Sequence, residues 1–503
     1  MYNFLNREKL FLGLSFILFV LFFIPAMTRS LWIDETITYW VIKDGLRDLF
    51  YRAIHFQGQS PFYYFIVWCF IQVLGHSEWV LRLPSLLSLI LACIFLYKLG
   101  LFFFDREGGL IAALGFISLW ALIGQLSGGG CSARPYELAV MFSILSVLCF
   151  VVWIKTGQTR HRIAYIIASA ATCYAHILFV PILFIHFCYF LINRENGSNV
   201  SFRKIFFTFG LVGLSLLPNT YQLMLLIKKK GLLSIPTIPS VINLIYAWFP
   251  RGVFIPLIAA FLITRIIEKK MYWRRTDFFS KPFLFSLSWF FFPALFWFIT
   301  SIISGTSLFL YRYYCWSFSA IALVITSLIL AMEPKRARTI AVVSFSMLFI
   351  LTSIISPKPL EDWRAATEYV KANNISNKGP ILLWPGLIEQ GNWQWSKKPE
   401  NQNYLLAPFS FYSIQKKAIL VPLIPDKFKL KELLSEHNIS IKKQKDDIFL
   451  MVRNIPMKEK TLQKDQASQN ILENWFKRQG FLVIQKKNFG GVVVSQFAFN
   501  PDT

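Results

Sequence analysis

Residues 10–40 read LFLGLSFILFVLFFIPAMTRSLWIDETITYW. An uncharged apolar run gives way almost at once to an adjacent acid pair, Asp34 and Glu35, set between two tryptophans. Crossing a bilayer takes about 20 mostly apolar residues, with some latitude, and residues 10–27 meet that need. The run follows Arg7 and Lys9 but has no small-residue cleavage site, and many more apolar runs come after it. It reads as a retained anchor, not a removed signal. The acid pair therefore stands where the chain first leaves lipid.

Composition points the same way. Of 503 residues, 55% are hydrophobic, 16% are charged and 51 are Phe. A polytopic membrane protein needs that much apolar surface, because lipid-facing side chains must be apolar as well as core ones. The net charge of +25 comes from 52 Lys and Arg against 27 Asp and Glu. Much of this excess lies in short loops between apolar runs, which is how topology is encoded, so nucleic acid is not expected as a partner. The seven cysteines all precede residue 316, mostly inside apolar runs and without metal-ligand spacing. They read as small buried hydrophobes.

The apolar runs predict spans at 10–27, 79–101, 109–126, 136–154, 163–177, 178–193, 205–226, 252–267, 283–302, 313–332 and 339–356. Alternate connections carry Arg7/Lys9, Arg106, Lys155/Arg160/Arg162, Arg194/Arg203/Lys204, Arg265 through Lys281, and Lys335/Arg336/Arg338. The positive-inside rule places all of these in the cytoplasm. An odd number of spans then leaves the C-terminal region outside. The run PFYYFIVWCFIQVLG (61–75) is short for a span, and counting it would put the basic 265–281 segment outside. With its Tyr and Trp content it reads as an interfacial or re-entrant helix. Residues 28–78 become one long outer loop that carries Asp34 and Glu35.

Composition changes after Ser356. EDWRAATEYVKANN has helical spacing, and β-type runs follow at 381–384, 418–423, 447–452, 481–485 and 491–499. Helix-like KLKELLSEH and NILENWFKRQ lie between them. The expected division is a membrane domain over 1–356 and a soluble α/β domain over 357–503.

Several fragments, in order, carry a family resemblance. After the acid pair come GQSPFYYF (58–65), SEWVLRLPSLL (77–87), SARPYELAV (132–140), YAHILFVP (174–181), FLYRYYCWSFSAIAL (309–323) and EDWRAATEYV (361–370). The chain resembles the GT-C glycosyltransferases over most of residues 10–370. The likeness is to the protein O-mannosyltransferase branch (glycosyltransferase family 39) and the lipid A aminoarabinose transferases. It departs from the aminoarabinose transferases where they carry a Glu-Lys pair and this chain reads HFQGQSP (55–61), and it lacks the large lumenal insertion of eukaryotic mannosyltransferases. The resemblance implies a GT-C fold of about 11 spans plus juxtamembrane helices, followed by the soluble domain. It also implies transfer of a sugar, hexose or pentose, from a polyprenyl-phosphate donor, undecaprenyl phosphate in a bacterial inner membrane. The acceptor hydroxyl, on lipid, glycan or protein, would lie on the outer face. No certain cofactor is implied, and a divalent metal stays an option.

Such a reaction needs a base for the acceptor hydroxyl, cations for the departing phosphate and contact with membrane lipids for the tail. Carboxylates are ionised at neutral pH and can take a proton. Alone, Asp34 reads as a solvated acid or a helix N-cap for TITYW; beside the motifs above it reads as the base. Glu35 then orients the acceptor or a nearby cation. Arg134 and Arg312 lie where spans meet the outer face, against the positive-inside trend, and an arginine can fork two hydrogen bonds to phosphate. The bland reading is snorkelling to headgroups. Arg82 is either a further phosphate contact or an interface anchor. Lys228, Lys229 and Lys230 form a basic run that could guide an anionic headgroup or simply be solvated. His176 at an outer turn, with Tyr136 and Tyr313, could touch sugar or phosphate; histidines and interfacial tyrosines are also common as plain structure. The rival class is a transporter or flippase for a lipid-linked saccharide. It favours ionisable residues near the bilayer midplane and repeats, whereas the notable acids and arginines here gather at predicted span ends.

The alternation of basic loops predicts that residues 28–78 and 357–503 share the outer side. After removal of the native cysteines, a cysteine placed near Ser396 should label in intact spheroplasts. Labelling only after permeabilisation would reverse the topology.

Overall fold

The structure, a computed structural model, describes the chain except residues 1, 128–129, 198, 229–237, 275–279, 307, 356–360, 375–378, 415–417, 424–429, 431, 434–446, 454–469, 471 and 501–503. The chain forms two compact units, one of Met1–Thr28 with Leu46–Lys358 and one of Arg29–Gly45 with Pro359–Thr503. The helices run in the order α1 (Tyr2–Met27), α2 (Ile33–Ile42), α3 (Leu46–Arg52), α4 (Pro61–Leu74), α5 (Glu78–Phe103), α6 (Arg106–Ser127) and α7 (Tyr136–Thr156). They continue as α8 (Thr159–Ala175), α9 (Ile182–Gly197), α10 (Phe202–Ser215), α11 (Leu217–Lys228), α12 (Val241–Trp248), α13 (Arg251–Ile267) and α14 (Lys281–Ser304). Then come α15 (Tyr311–Tyr314), α16 (Phe318–Leu330), α17 (Lys335–Ile355), α18 (Trp363–Asn373), α19 (Trp393–Ser396), α20 (Pro399–Leu405) and α21 (Ala407–Phe411).

In the first unit the apolar runs are helices, as they must be where no water can satisfy backbone groups. Among the described residues six helices are long and apolar enough to cross a membrane, starting at Glu8, Glu78, Tyr136, Ile177, Lys281 and Tyr311. A seventh arises if α12 and α13, bent by 46°, are one broken span. The other expected spans are also helical, over 109–126 in α6, 163–175 in α8 and 339–355 in α17. The expected single span at 205–226 is two helices, broken at Leu216. Pro218 explains the break: it has no N–H to donate and its ring clashes with the carbonyl four residues back. Helix α4 has 14 residues, about 21 Å at 1.5 Å per residue, less than the ~30 Å of hydrocarbon. It buries Tyr63, Tyr64 and Val67 and packs on α5.

The basic connections are joined to one another by direct contacts. Arg106 pairs with Glu8 at 2.8 Å. Buried Arg338 meets Glu333 at 2.8 Å and Glu107 at 3.7 Å, and Glu333 also faces Arg274 at 3.9 Å. The strands β1 (Tyr272–Trp273) and β2 (Met332–Glu333) pair antiparallel, tying the 265–281 and 331–338 segments together. Lys155 lies over the Phe102 ring at 4.8 Å, and Asn199 N–H donates to the Ile154 carbonyl at 3.0 Å. These links put the basic segments on one end of the bundle. The turn from α5 to α6 is close-packed: a Cβ on Gly109 would stand 2.8 Å from the Tyr97 carbonyl oxygen, so only glycine fits.

The second unit holds a mixed five-stranded sheet, β3 (Ile381–Trp384), β4 (Ile419–Leu420), β5 (Ile448–Arg453), β6 (Phe481–Phe489) and β7 (Val492–Phe499), ordered β4-β3-β5-β7-β6. Strand β3 is parallel to β4 and β5, while β7 is antiparallel to β5 and β6. Each of these strands overlaps an expected β-type run, with β5 and β6 extending past theirs to Arg453 and Phe489. Edge strand β6 exposes its lysine-bearing stretch, which discourages edge pairing. Residues 472–478 are helical, and most of KLKELLSEH lies outside the described residues. Trp384, Leu450, Phe476 and Phe497 form the core. Asp362 caps α18, accepting from Ala365 N–H at 3.0 Å.

The expected boundary at 356/357 falls among residues outside the described set, and the expected division assigned 29–45 to the membrane domain. In the structure those residues pack with the C-terminal unit, because their backbone is held there. Leu31 N–H donates to the Tyr412 hydroxyl at 2.7 Å, and Ile33 N–H to Glu361 Oε2 at 2.9 Å. Helix α2 then lies on α21, with Tyr39 edge-on to Phe411 at 5.0 Å and Trp40 to Tyr404 at 5.5 Å.

Removing one partner of a buried ion pair leaves an uncompensated charge, at a cost of about 3–5 kcal/mol. Arg338→Ala should therefore lower the melting temperature sharply in detergent. Lys43→Ala, which loses only a more exposed pair with Asp44, should leave it near wild type. Equal melting for both variants would contradict the ionic lock.

Candidate functional site

The acid pair opens α2. Trp32 is the N-cap, so Asp34 occupies the second helical position and is not itself the cap. Glu35 is 1% exposed, and its Oε2 accepts from Trp32 N–H at 3.2 Å. That is the reach-back half of a capping box. Both carboxylates sit in the first turn, where the helix dipole favours negative charge. Asp34 is half-buried and is the more accessible of the two. The Tyr39 phenol on the same helix is pushed above its ordinary pKa by burial and by Asp44, so it remains a neutral donor.

In the first unit the structure gathers most of the residues expected to bind the donor. Arg134 follows α6 in a short segment that Pro135 turns into α7. Its carbonyl accepts from Ser85 Oγ at 3.3 Å, and Ser85 is in turn 3.3 Å from the Tyr63 hydroxyl. Its guanidinium is buried, and Nη1 donates to Gln57 Oε1 at 3.3 Å. Gln57 ends a π-turn, Ala53–Gln57, that is closed by Gly58 in the left-handed region at φ 59°. The Tyr64 hydroxyl reaches both Gln57 and Gln59, at 3.5 and 3.4 Å. The HFQGQSPFYYF stretch thus supplies Gln57 to the Arg134 side chain and holds Gln57 through Tyr64.

His176 joins this group from the break between α8 and α9. Its ring lies 5.4 Å from Tyr136 and 5.7 Å from Tyr313. Arg134 and Arg312 are the two charges acting on it. Its Nδ1 accepts from Leu178 N–H at 3.3 Å, and its buried Nε2 has no hydrogen-bond partner among the described residues. Arg312, half-buried on α15, lies 5.7 Å from the Tyr313 ring centroid. Arg134, Tyr136, His176, Arg312 and Tyr313 therefore form one cluster drawn from three separate breaks in the helical bundle.

Arg82 is placed differently. Its Nη1 donates to the carbonyls of Ala26 and Met27 at 2.9 and 3.3 Å, clamping the end of α1. Cations suit a helix C-terminus for this reason. Lys228 ends α11, and Lys229 and Lys230 lie outside the described residues.

Two further residues belong with the arginine cluster. Gln57 bonds Arg134, and Glu137 is a buried acid whose Oε1 accepts from the Ser132 N–H and hydroxyl, both at 3.2 Å. An acid opening a span was the signal for Glu137, since ionisable residues in spans are rare and functional. Gln57 carried no signal beyond its position before GQSP. Among the described residues no three His, Cys, Asp or Glu side chains gather as a metal site.

Comparison with known proteins adds to this geometry. The family model described as dolichyl-phosphate-mannose-protein mannosyltransferase matches residues 58–221, a stretch that contains Arg82, Arg134, Tyr136 and His176. A search of curated proteins found no match. Among solved structures, ArnT from Cupriavidus metallidurans bound to undecaprenyl phosphate matches with TM-score 0.55 and 11% identity, over 97% of this chain and 97% of that one. The same protein in its apo state matches with TM-score 0.53 and 11% identity, again over 97% of each chain. At that identity the likeness is one of fold. The chain has the ArnT-like GT-C membrane fold, and the resemblance carried by the sequence motifs is borne out.

Proposed function

We propose that this chain is an integral membrane glycosyltransferase that moves a sugar, hexose or pentose, from a polyprenyl-phosphate donor to an acceptor hydroxyl. Undecaprenyl phosphate is the carrier this reading favours, in a bacterial inner membrane with the reaction on the extracytoplasmic face. The acceptor is a lipid, a glycan or a protein. The observation that carries the reading is the cluster in which the His176 ring lies against Tyr136 and Tyr313, with buried Arg134 two residues before Tyr136 and Arg312 over the Tyr313 ring. Two guanidiniums beside an imidazole suit a phosphate that gains charge as its sugar leaves.

In the reaction the acceptor O–H proton passes to the Asp34 carboxylate as the acceptor oxygen bonds to the anomeric carbon. The bond from that carbon to the phosphate oxygen breaks, and its electron pair leaves with the polyprenyl phosphate. Arg134 and Arg312 stabilise that developing charge. Glu35, folded back on Trp32, holds the first turn of α2 so that Asp34 is fixed in place.

Asp34→Asn keeps the shape and nearly all the hydrogen-bonding capacity while removing the proton acceptor. Transfer should fall about 10²–10⁴-fold with binding of undecaprenyl phosphate retained. Arg134→Ala and Arg312→Ala should instead weaken that binding or turnover, by about 2–5 kcal/mol or roughly 30- to 5,000-fold, while exposed Arg274→Ala does neither. Near-normal transfer by Asp34→Asn would reduce the acid pair to a helix terminus. Near-normal binding by both folded alanine variants would reduce the arginines to headgroup anchors.

A further inference from the structure

Helix α11 presents apolar side chains outward and amides inward. Leu217, Tyr221, Leu223 and Met224 are exposed, whereas Asn219 and Gln222 are 1% and 5% exposed. The outward face suits lipid. The inward face is costly, because a buried polar atom without a hydrogen-bond partner keeps its full desolvation penalty. Nδ2 and Oδ1 of Asn219 and Oε1 of Gln222 are all buried with no hydrogen-bond partner among the described residues. Native structures leave few such groups, and each calls for a physical reason.

These residues are three apart and share one helix face. Helix α11 packs against the Ala53–Gln57 turn, with the Tyr221 ring 6.3 Å from His55. The same turn supplies Gln57 to Arg134. The unmet atoms are one donor and two acceptors. A prenyl tail would satisfy none of them, and an ionised phosphate, which only accepts, would leave both oxygens unmet. A sugar hydroxyl donates and accepts, and so matches the set.

We propose that Asn219 and Gln222 bind hydroxyl groups of the donor's sugar and so set which lipid-linked sugar is accepted. This rests on the glycosyltransferase reading above. The test compares wild type, Asn219→Leu and Gln222→Met in detergent. It uses bare undecaprenyl phosphate beside undecaprenyl-phosphate esters of mannose, glucose, galactose and arabinose. Wild type should bind at least one ester more tightly than the bare phosphate. The variants should lose about tenfold of that affinity, keep their affinity for the bare phosphate, and melt at or above the wild-type temperature, since an unmet amide has been removed. Equal weakening toward both ligands, unchanged binding of the ester, or a lowered melting temperature in both variants would make the amides packing residues and overturn the proposal. So would a wild type that binds every ester no better than the bare phosphate. A wild type that binds neither kind of ligand overturns the glycosyltransferase reading itself, and this inference with it.

Discussion

A single carboxylate, that of Glu361, fixes where the acid pair stands. Its Oε2 accepts from Ile33 N–H at 2.9 Å and from the Trp363 indole at 2.8 Å, while its Oε1 meets Arg453 at 2.6 Å. Three segments far apart in sequence thus share one side chain: the start of α2, the start of α18 and the end of β5. Charge-assisted hydrogen bonds of this kind are strong when partly buried. Tyr412 adds a second tie through Leu31 N–H. Asp34 therefore owes its position to the C-terminal unit, although in sequence it lies next to the first membrane helix. The EDWR motif has a structural task, with Glu361 holding α2 and Asp362 starting α18.

In the membrane unit the governing constraint is the scarcity of places for polar groups. Among the described residues two sets of ionic groups stand out. One set joins the basic loops through Arg338, Glu333, Glu107, Arg106 and Glu8. The other surrounds Arg134 and His176 and is assembled from breaks in the helices: the π-turn before Gln57, the Ser132–Pro135 segment and the extended residue at His176. Backbone irregularity in lipid is tolerated only where other groups satisfy it or a cavity needs it, so the breaks and the cluster coincide.

The run 79–101 was legible because a membrane helix is apolar toward lipid as well as toward its neighbours, and 381–384 because its strand is buried throughout. The gathering of Arg134, Arg312 and His176 could be expected from their position at span ends. Other features depend on tertiary contacts and left no periodic trace. The attachment of 29–45 to the C-terminal unit rests on Tyr412 and Glu361, hundreds of residues away in sequence. Gln57 and the clamp of Arg82 on α1 are likewise matters of reach. The break at Leu216 had a visible cause in Pro218, which hydropathy averaging over 205–226 concealed. Glu35 is buried, with its carboxylate accepting from Trp32 N–H, whereas Asp34 is the more accessible acid of the pair.

The central claim is that a lipid-phosphate sugar is cleaved at its anomeric carbon by this chain. The most direct measurement follows free undecaprenyl phosphate by mass spectrometry when purified protein in nanodiscs meets the undecaprenyl-phosphate sugars and a membrane extract as acceptor source. The account predicts release of undecaprenyl phosphate that matches the sugar gained by the acceptor. An intact donor that the protein merely moves between leaflets of a proteoliposome would contradict it.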